Sequence, residues 1–179
     1  MKTNSIKGKN VVLIPLKTTD KDWFFTTITT SGATQLLFGP GTGRKIPDRK
    51  ELFRQYPAHY FNDLKPAKGR CFAIEINNER IGQVNYDEID SDGQVELNIW
   101  LISRKHQGKG FLIEALSLLT DYLFNKFNAH TFYINVIAAY KNALKSFRKA
   151  GFIPVGTVEQ MGIVYVRMEK RTDPEGETG

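Results

Sequence analysis

Apolar and polar residues follow two rhythms along the chain, and the changes between them mark its elements. Residues 10–16 (NVVLIPL) read as a strand, with Pro15 confining it to an edge or a bulge. Thr18, Thr19 and Asp20 then cap a helix through Trp23, Phe24 and Ile28. A turn over residues 39–43 (GPGTG) precedes a second helix that opens at Pro47 and Asp48. It carries Leu52, Phe53, Tyr56, Tyr60 and Phe61 at helical spacing. Three strands follow, over residues 71–76, 81–89 and 94–102, joined at Asn77-Asn78 and at the turn 90–93 (DSDG). A polar loop, 103–110 (SRKHQGKG), leads into an apolar helical pattern over 111–127. A strand at 131–137, a helix at 139–150 and a closing antiparallel pair at 152–158 and 163–169 complete the order βααβββαβαββ. The strand–helix–strand unit from 94 to 137 predicts one parallel pair with a right-handed crossover inside an otherwise antiparallel sheet. The fold class is therefore α/β (α+β), a mixed and mostly antiparallel sheet of six to seven strands flanked by helices. One domain is expected over residues 8–170, with 171–179 (RTDPEGETG) a frayed tail.

Composition narrows the class. The chain has 179 residues, 41% hydrophobic and 25% charged, which is ordinary globular usage. No apolar run reaches the ~18 residues of a membrane span. The first ten residues have no apolar core after their lysines, so they do not read as a secretory signal. One cysteine, Cys71, and three scattered histidines make neither a disulfide nor a metal cage, so no metal is expected and a cytoplasmic location is. The net charge of +6 suits a polyanionic ligand. No run of five basic residues and no aromatic–basic RNA-binding motif is present, so nucleic acid is not expected as the partner.

The loop before the long helix carries the chemistry. Gln107, Gly108, Lys109 and Gly110 lie between a strand and a helix start, where about four backbone N–H groups lack partners and the helix dipole favours an anion. The glycines let the backbone approach that anion closely. The spacing is neither that of a nucleoside-triphosphate loop nor that of a dinucleotide fold.

Gln107 to Leu112 (QGKGFL), the preceding strand, the following helix and Ala150-Gly151-Phe152 together resemble the GCN5-related N-acetyltransferase (GNAT) superfamily. Its Q/R-x-x-G-x-G/A signature is met at Gln107 and Gly110 and ends here in Leu112. The stretch 94–116 is most similar to the ribosomal-protein N-terminal acetyltransferase (Rim-type) branch, to which Glu96, Trp100, Glu114, Ala115 and Leu116 answer. The resemblance implies acetyl-CoA as cosubstrate and direct transfer to a primary amine, such as a protein N-terminal amine. An aminoglycoside or polyamine is the alternative acceptor, and a non-catalytic acyl-CoA sensor the alternative of another class. It also implies backbone contacts to the pantetheine arm from Leu101, Ile102 and Ser103, and a pyrophosphate seat from Gln107, Gly108, Lys109, Gly110, Phe111 and Leu112. A homodimer is compatible with it.

The chain departs from that pattern. Where many members carry an Asn and a Tyr before the Ala-Gly-Phe segment, Tyr140 and Phe147 stand here. Asn142 is the substitute candidate for cofactor contact, although helical geometry turns it about 200° from position 140. Phe147 has no proton to give, but a thiol of this acidity leaves unaided. Eight residues separate Trp100 from Gly108 where the branch has seven. Glu96 is the candidate base or water-activating residue, because a protonated amine must lose a proton before it can attack, with a structural or substrate-orienting carboxylate as the alternative. Asn98 shares its face. Asp87, Glu88 and Tyr86 are candidates for the acceptor side, as is the segment 37–43. His106 reads as an exposed loop histidine, with a phosphate or adenosine contact as its alternative, Cys71 as core, and Tyr56, Tyr60 and Phe61 as helix-packing residues.

Overall fold

A computed structural model describes residues 4–32, 34, 38, 42–102 and 104–172. Among them, eight strands form one sheet in the order β1-β2-β3-β4-β5-β6-β8-β7. The strands are β1 (Ile6–Lys7), β2 (Val12–Pro15), β3 (Arg70–Ile76), β4 (Glu79–Tyr86), β5 (Gln94–Leu101), β6 (Thr131–Ile137), β7 (Ile153–Gln160) and β8 (Ile163–Arg171). The four α-helices among these residues are α1 (Lys21–Thr30), α2 (Arg49–Gln55), α3 (Phe111–Phe127) and α4 (Lys141–Lys149). The expected mixed sheet is present, enlarged at one edge by the two-residue β1. Pro15 lies beyond the two residue pairs that join β1 to β2, so no ladder bond is lost to its missing N–H on that side.

The hairpin turns follow from residue chemistry. Asn77 and Asn78 both take positive φ, 46° and 63°, as a two-residue turn between right-twisted strands requires. Asp48 caps α2 by accepting from the Glu51 amide, while the Glu51 carboxylate accepts from the Asp48 amide (2.9 Å each). The helical run expected to carry Tyr60 and Phe61 stops at Gln55. Pro57 cannot continue it, and the two aromatics sit on a separate 3₁₀ turn, Ala58–Phe61.

The two faces of the sheet are built differently. One packs Phe72, Ile74, Val84, Tyr86, Val95, Leu97, Phe132 and Met168 against Ala115, Leu116, Leu119 and Leu123 of α3. Burying each such side chain contributes about 1.5–3 kcal/mol. On the other face the small residues Cys71 and Ala73 leave room for an aromatic cluster from α1, α2 and the 3₁₀ turn. There Phe24 meets Phe61 and Tyr56 edge-on, with centroids 5.1 and 4.9 Å apart. This cluster packs against Ile14 of β2, Cys71 and Ala73 of β3, and Trp100 of β5.

The parallel pair is short. β5 and β6 are in register only at Gln94–Thr131, Val95–Phe132 and Glu96–Tyr133. Both strands continue, β5 alongside β4 to Leu101 and β6 alongside β8 to Ile137, but away from each other. The register of β4 with β5 is unbroken from Tyr86–Leu97 to Gly82–Leu101, so the additional residue between Trp100 and Gly108 falls in the loop after β5. At the far end, β8 runs through Arg171, and the Thr172 amide donates to the His130 carbonyl (2.9 Å). Residues 173–179 of the tail lie outside the described residues.

Candidate active site

Where β5 and β6 part, a cleft of about 590 Å³ opens. Asn98, Ile99, Trp100, Leu101 and Ile102 form one wall and Ile134, Asn135, Val136 and Ile137 the other. The loop before α3 closes one end with His106, Gln107, Gly108 and Gly110, and α4 borders it with Tyr140, Asn142, Ala143 and Phe147. Gly108 and Gly110 have φ of 73° and 81°, and a Cβ placed on either would meet nothing within 4 Å. Backbone of this kind strains any other residue, and here it faces open space. Gly110 supplies no side chain to cap α3, so the first amides of the helix keep their donors. These features fit the pyrophosphate of a nucleotide cosubstrate.

Most of the residues expected to hold such a cosubstrate come together here: Leu101, Ile102, Gln107, Gly108, Gly110, Phe111, Leu112 and Asn142 all border the cleft. Lys109 is exposed on the same loop and does not line it. Ser103 lies outside the described residues, as do residues 37 and 39–41 of the acceptor segment. Asn142 reaches the cleft together with Tyr140. Tyr140 precedes the first helical residue, with φ −87° and ψ 69°, so the helical rotation between positions 140 and 142 does not apply. Phe147 is buried and meets Phe152 edge-on at 6.2 Å, a packing residue at the cleft wall. His106 is not the exposed histidine expected. It is 6% exposed, 6.5 Å from the Phe111 ring, and its Nδ1 has no protein partner.

Glu96 sits at the base of the fork, one step behind the lining residues. Its Oε1 accepts from Asn135 Nδ2 at 2.9 Å, and Asn135 itself lines the cleft. Burial pushes the Glu96 carboxyl up from the usual carboxylate range, and the charge of Asp87 adds to this, against the Asn135 hydrogen bond and the Arg167 charge. Asp87 is raised by burial as well, against hydrogen bonds from Tyr60 and Asn98. The Tyr60 hydroxyl donates to Asp87 Oδ1 at 2.7 Å, so this expected packing residue also holds a carboxyl. The other acids of that hairpin face elsewhere. Glu88 pairs with Lys68, and Asp90 accepts from the amides of its own turn, at Asp92 and Gln94 (2.9 Å each).

Glu114, which matches the Rim-type pattern, has a structural part. Its Oε1 accepts from the Asn10 and Val11 amides (2.7 and 3.0 Å), strapping the start of β2 to the first turn of α3. Cys71 is fully buried, and burial drives its thiol up, so it is no nucleophile. Asn135 and Tyr165 were not legible as site residues. They lie on strands of unremarkable pattern, and only the parting of β5 from β6 makes Asn135 a wall.

The fork thus ends on the glycine loop and the helix start behind it. Residues 10–153 match the family model for the acetyltransferase (GNAT) domain. The chain belongs to this family. Among curated relatives, the spermidine N(1)-acetyltransferase of Escherichia coli (strain K12) is 31% identical over 103 residues, 57% of this chain and 55% of the relative. The chain thus aligns with about half the length of that relative. Among solved structures, a RimL ribosomal L7/L12 alpha-N-protein acetyltransferase in complex with coenzyme A superposes with a TM-score of 0.74, at 14% identity over 96% of this chain and 99% of that one. An aminoglycoside acetyltransferase AAC(6')-Ib in complex with coenzyme A gives 0.70, at 18% identity over 90% and 94%. These two likenesses are of fold.

Proposed function

We propose that this GNAT-family chain is an acetyl-CoA-dependent N-acetyltransferase that passes an acetyl group directly to a primary amine, the N-terminal amine of a protein being the leading acceptor. The observation that carries the reading is the fork: β5 and β6 separate after Glu96 and Tyr133, and the cleft between them ends on the glycine loop of α3. Backbone of Leu101 and Ile102 takes the pantetheine arm, with Ser103 next in the chain, and Gln107, Gly108, Gly110, Phe111 and Leu112 seat the pyrophosphate, with exposed Lys109 on the same loop and Asn142 along the wall. Acetyl-CoA supplies the activated thioester. Glu96 takes the proton of the incoming ammonium through water at the Asn135 wall, and its raised proton affinity suits that task near neutral pH. Phe147 cannot protonate the thiolate, and the hydroxyl-bearing side chains among the described cleft residues are Ser31, Tyr140, Ser146 and Tyr165.

A second acceptor reading, a polyamine or an aminoglycoside, is favoured by one observation. Asp87 and Glu96 put two carboxyl groups on the same side of the sheet, which suits an acceptor with more than one cationic nitrogen. A cytoplasmic homodimer belongs to the same proposal, supported by the exposed Ile153, Val155, Val158, Met161 and Val164 of the β7–β8 hairpin.

The test follows release of the CoA thiol from acetyl-CoA with a peptide bearing a free N-terminal Ser, with spermidine and with kanamycin. Acceptor-dependent release that drops about a hundredfold or more in Glu96→Gln, with acetyl-CoA affinity unchanged, is the expected result. Undiminished release in that variant removes Glu96 as the base. Tight acetyl-CoA binding without release for any acceptor favours the sensor.

A further inference from the structure

Antiparallel register puts Asp87 directly across from Glu96: Tyr86 faces Leu97, and the Asp87 amide donates to the Glu96 carbonyl at 3.0 Å. Two acids at facing positions repel each other and weaken a strand pair. Among the described residues neither acid makes an ion pair, and the Arg167 charge offsets the repulsion at Glu96 only in part. Arg167, whose charge reaches Glu96, is hydrogen-bonded to Glu169 (3.0 Å) and stacked 3.7 Å over the Tyr133 ring. Charged and titratable side chains surround the pair from several elements. They are Tyr133 on β6, Arg167 with Glu169 on β8, Tyr56 at the end of α2, Tyr60 on the 3₁₀ turn and Cys71 on β3. Two neutral donors finish the shell, Asn135 on Glu96 and Asn98 beside Asp87.

The aromatic layer fixes Asp87 in this place. Tyr60 donates to it at 2.7 Å, and Tyr60 is itself held from three sides. Its carbonyl accepts from Arg70 Nη1 (2.9 Å), its ring meets Tyr56 edge-on at 5.5 Å, and Gly69 passes close beneath the ring. A carboxyl so anchored opposite another is built in rather than incidental.

We propose that Asp87 is a positioning residue of the acceptor site: held by the Tyr60 hydroxyl directly across the strand pair from Glu96, it fits Glu96 to take the proton of an incoming ammonium. This rests on the acetyltransferase reading given above. The balance is simple. R–NH₃⁺ gives one proton to Glu96 and keeps the N–H bonding pair as its lone pair. The C–N bond forms as the C–S bond of the thioester breaks, a second N–H proton goes to the CoA thiolate, and the first returns to solvent. Burial raises the proton affinity of Glu96 first, and the negative charge of Asp87 adds to it, against the Asn135 hydrogen bond and the Arg167 charge.

The test needs no knowledge of the acceptor. Side-chain carboxyl ¹³C signals of labelled Asp and Glu are followed against pH in the full chain, for wild type, Asp87→Asn and Tyr60→Phe. Asp87→Asn keeps the shape and leaves an oxygen for Tyr60 to bond, and Tyr60→Phe leaves both carboxyl groups in place. The Glu96 midpoint is expected to move to lower pH in Asp87→Asn. In Tyr60→Phe the Asp87 midpoint is expected to rise, because the carboxylate loses a donor. With whichever of the three acceptors turns over, the acid limb of the kcat/KM profile of Asp87→Asn moves down with the Glu96 midpoint. A Glu96 titration indifferent to Asp87→Asn overturns the proposal, even with turnover intact. Absence of turnover in wild type counts against the acetyltransferase reading and leaves the titration to decide the pair.

Discussion

Alanine in place of Gly69 is a demanding test of how the acceptor side is supported. Gly69 has φ 130°, a region that residues with a Cβ rarely enter, and a Cβ built there would lie 2.6 Å from Cζ and 2.9 Å from Oη of Tyr60. The backbone conformation costs on the order of 1–3 kcal/mol, and forcing the ring aside adds about 1–3 kcal/mol. The total is then roughly 2–6 kcal/mol. For a chain of this length each kcal/mol lowers the melting temperature by about 2–4 °C, so a fall of about 4–24 °C is expected. Thermal unfolding followed by circular dichroism measures it. Gly156→Ala is the control, since a Cβ there meets nothing within 4 Å. A Gly69→Ala protein melting within a degree or two of wild type would refute the reasoning, and with it the claim that Tyr60 is clamped between Gly69 and Asp87.

Three further outcomes follow. Gly110→Ala, at φ 81° in open space, is expected to cost only about 1 kcal/mol of stability yet to weaken acetyl-CoA binding several-fold by calorimetry. Glu114→Ala removes the acceptor of two backbone amides, lowers stability by about 2–3 kcal/mol in urea, and speeds hydrogen exchange at Asn10 and Val11. Burial raises the Glu114 carboxyl, but those amides outweigh it and hold it below its usual value, so this contribution is present above the unfolded value and lost as pH falls through the folded one. Glu96 has the opposite sign. Its folded proton affinity is raised, so its contribution is full below the unfolded value and lost as pH rises through the folded one. Glu96→Gln is therefore expected to melt higher than wild type at pH 8 and no higher at pH 3.

Much of this was legible in the sequence because local chemistry decided it. The helix over 111–127 is bounded as its periodicity indicates, with Gly110 before it and Asn128 at φ 55° after it. The strand over 131–137 likewise ends where its apolar run ends. The cofactor loop was legible because its glycines have no use in a regular element. What could not be read is set by register and distance. That Asp87 faces Glu96 depends on the number of residues in the 90–93 turn, and that Asn135 is a wall depends on where a parallel pair stops. His106 shows the same limit: a polar loop residue looks exposed in sequence, and only the packing against Phe111 buries it. Pro57 is the counter-example, since its effect on the helix before Tyr60 was readable and the apolar spacing across it obscured it.

The fork between β5 and β6 has a consequence for solubility. An unpaired strand edge is a template for another chain, and proteins commonly blunt such edges with charge, proline or a bulge. This fold keeps two of them bare, yet inside itself: β4 occupies the outer side of β5 and β8 the outer side of β6, and the gap is walled by α4 and the loop before α3. A narrow arm can add itself as a guest strand, whereas a sheet from a neighbouring molecule cannot enter. Sticky backbone can thus be held ready for a ligand without being offered to aggregation.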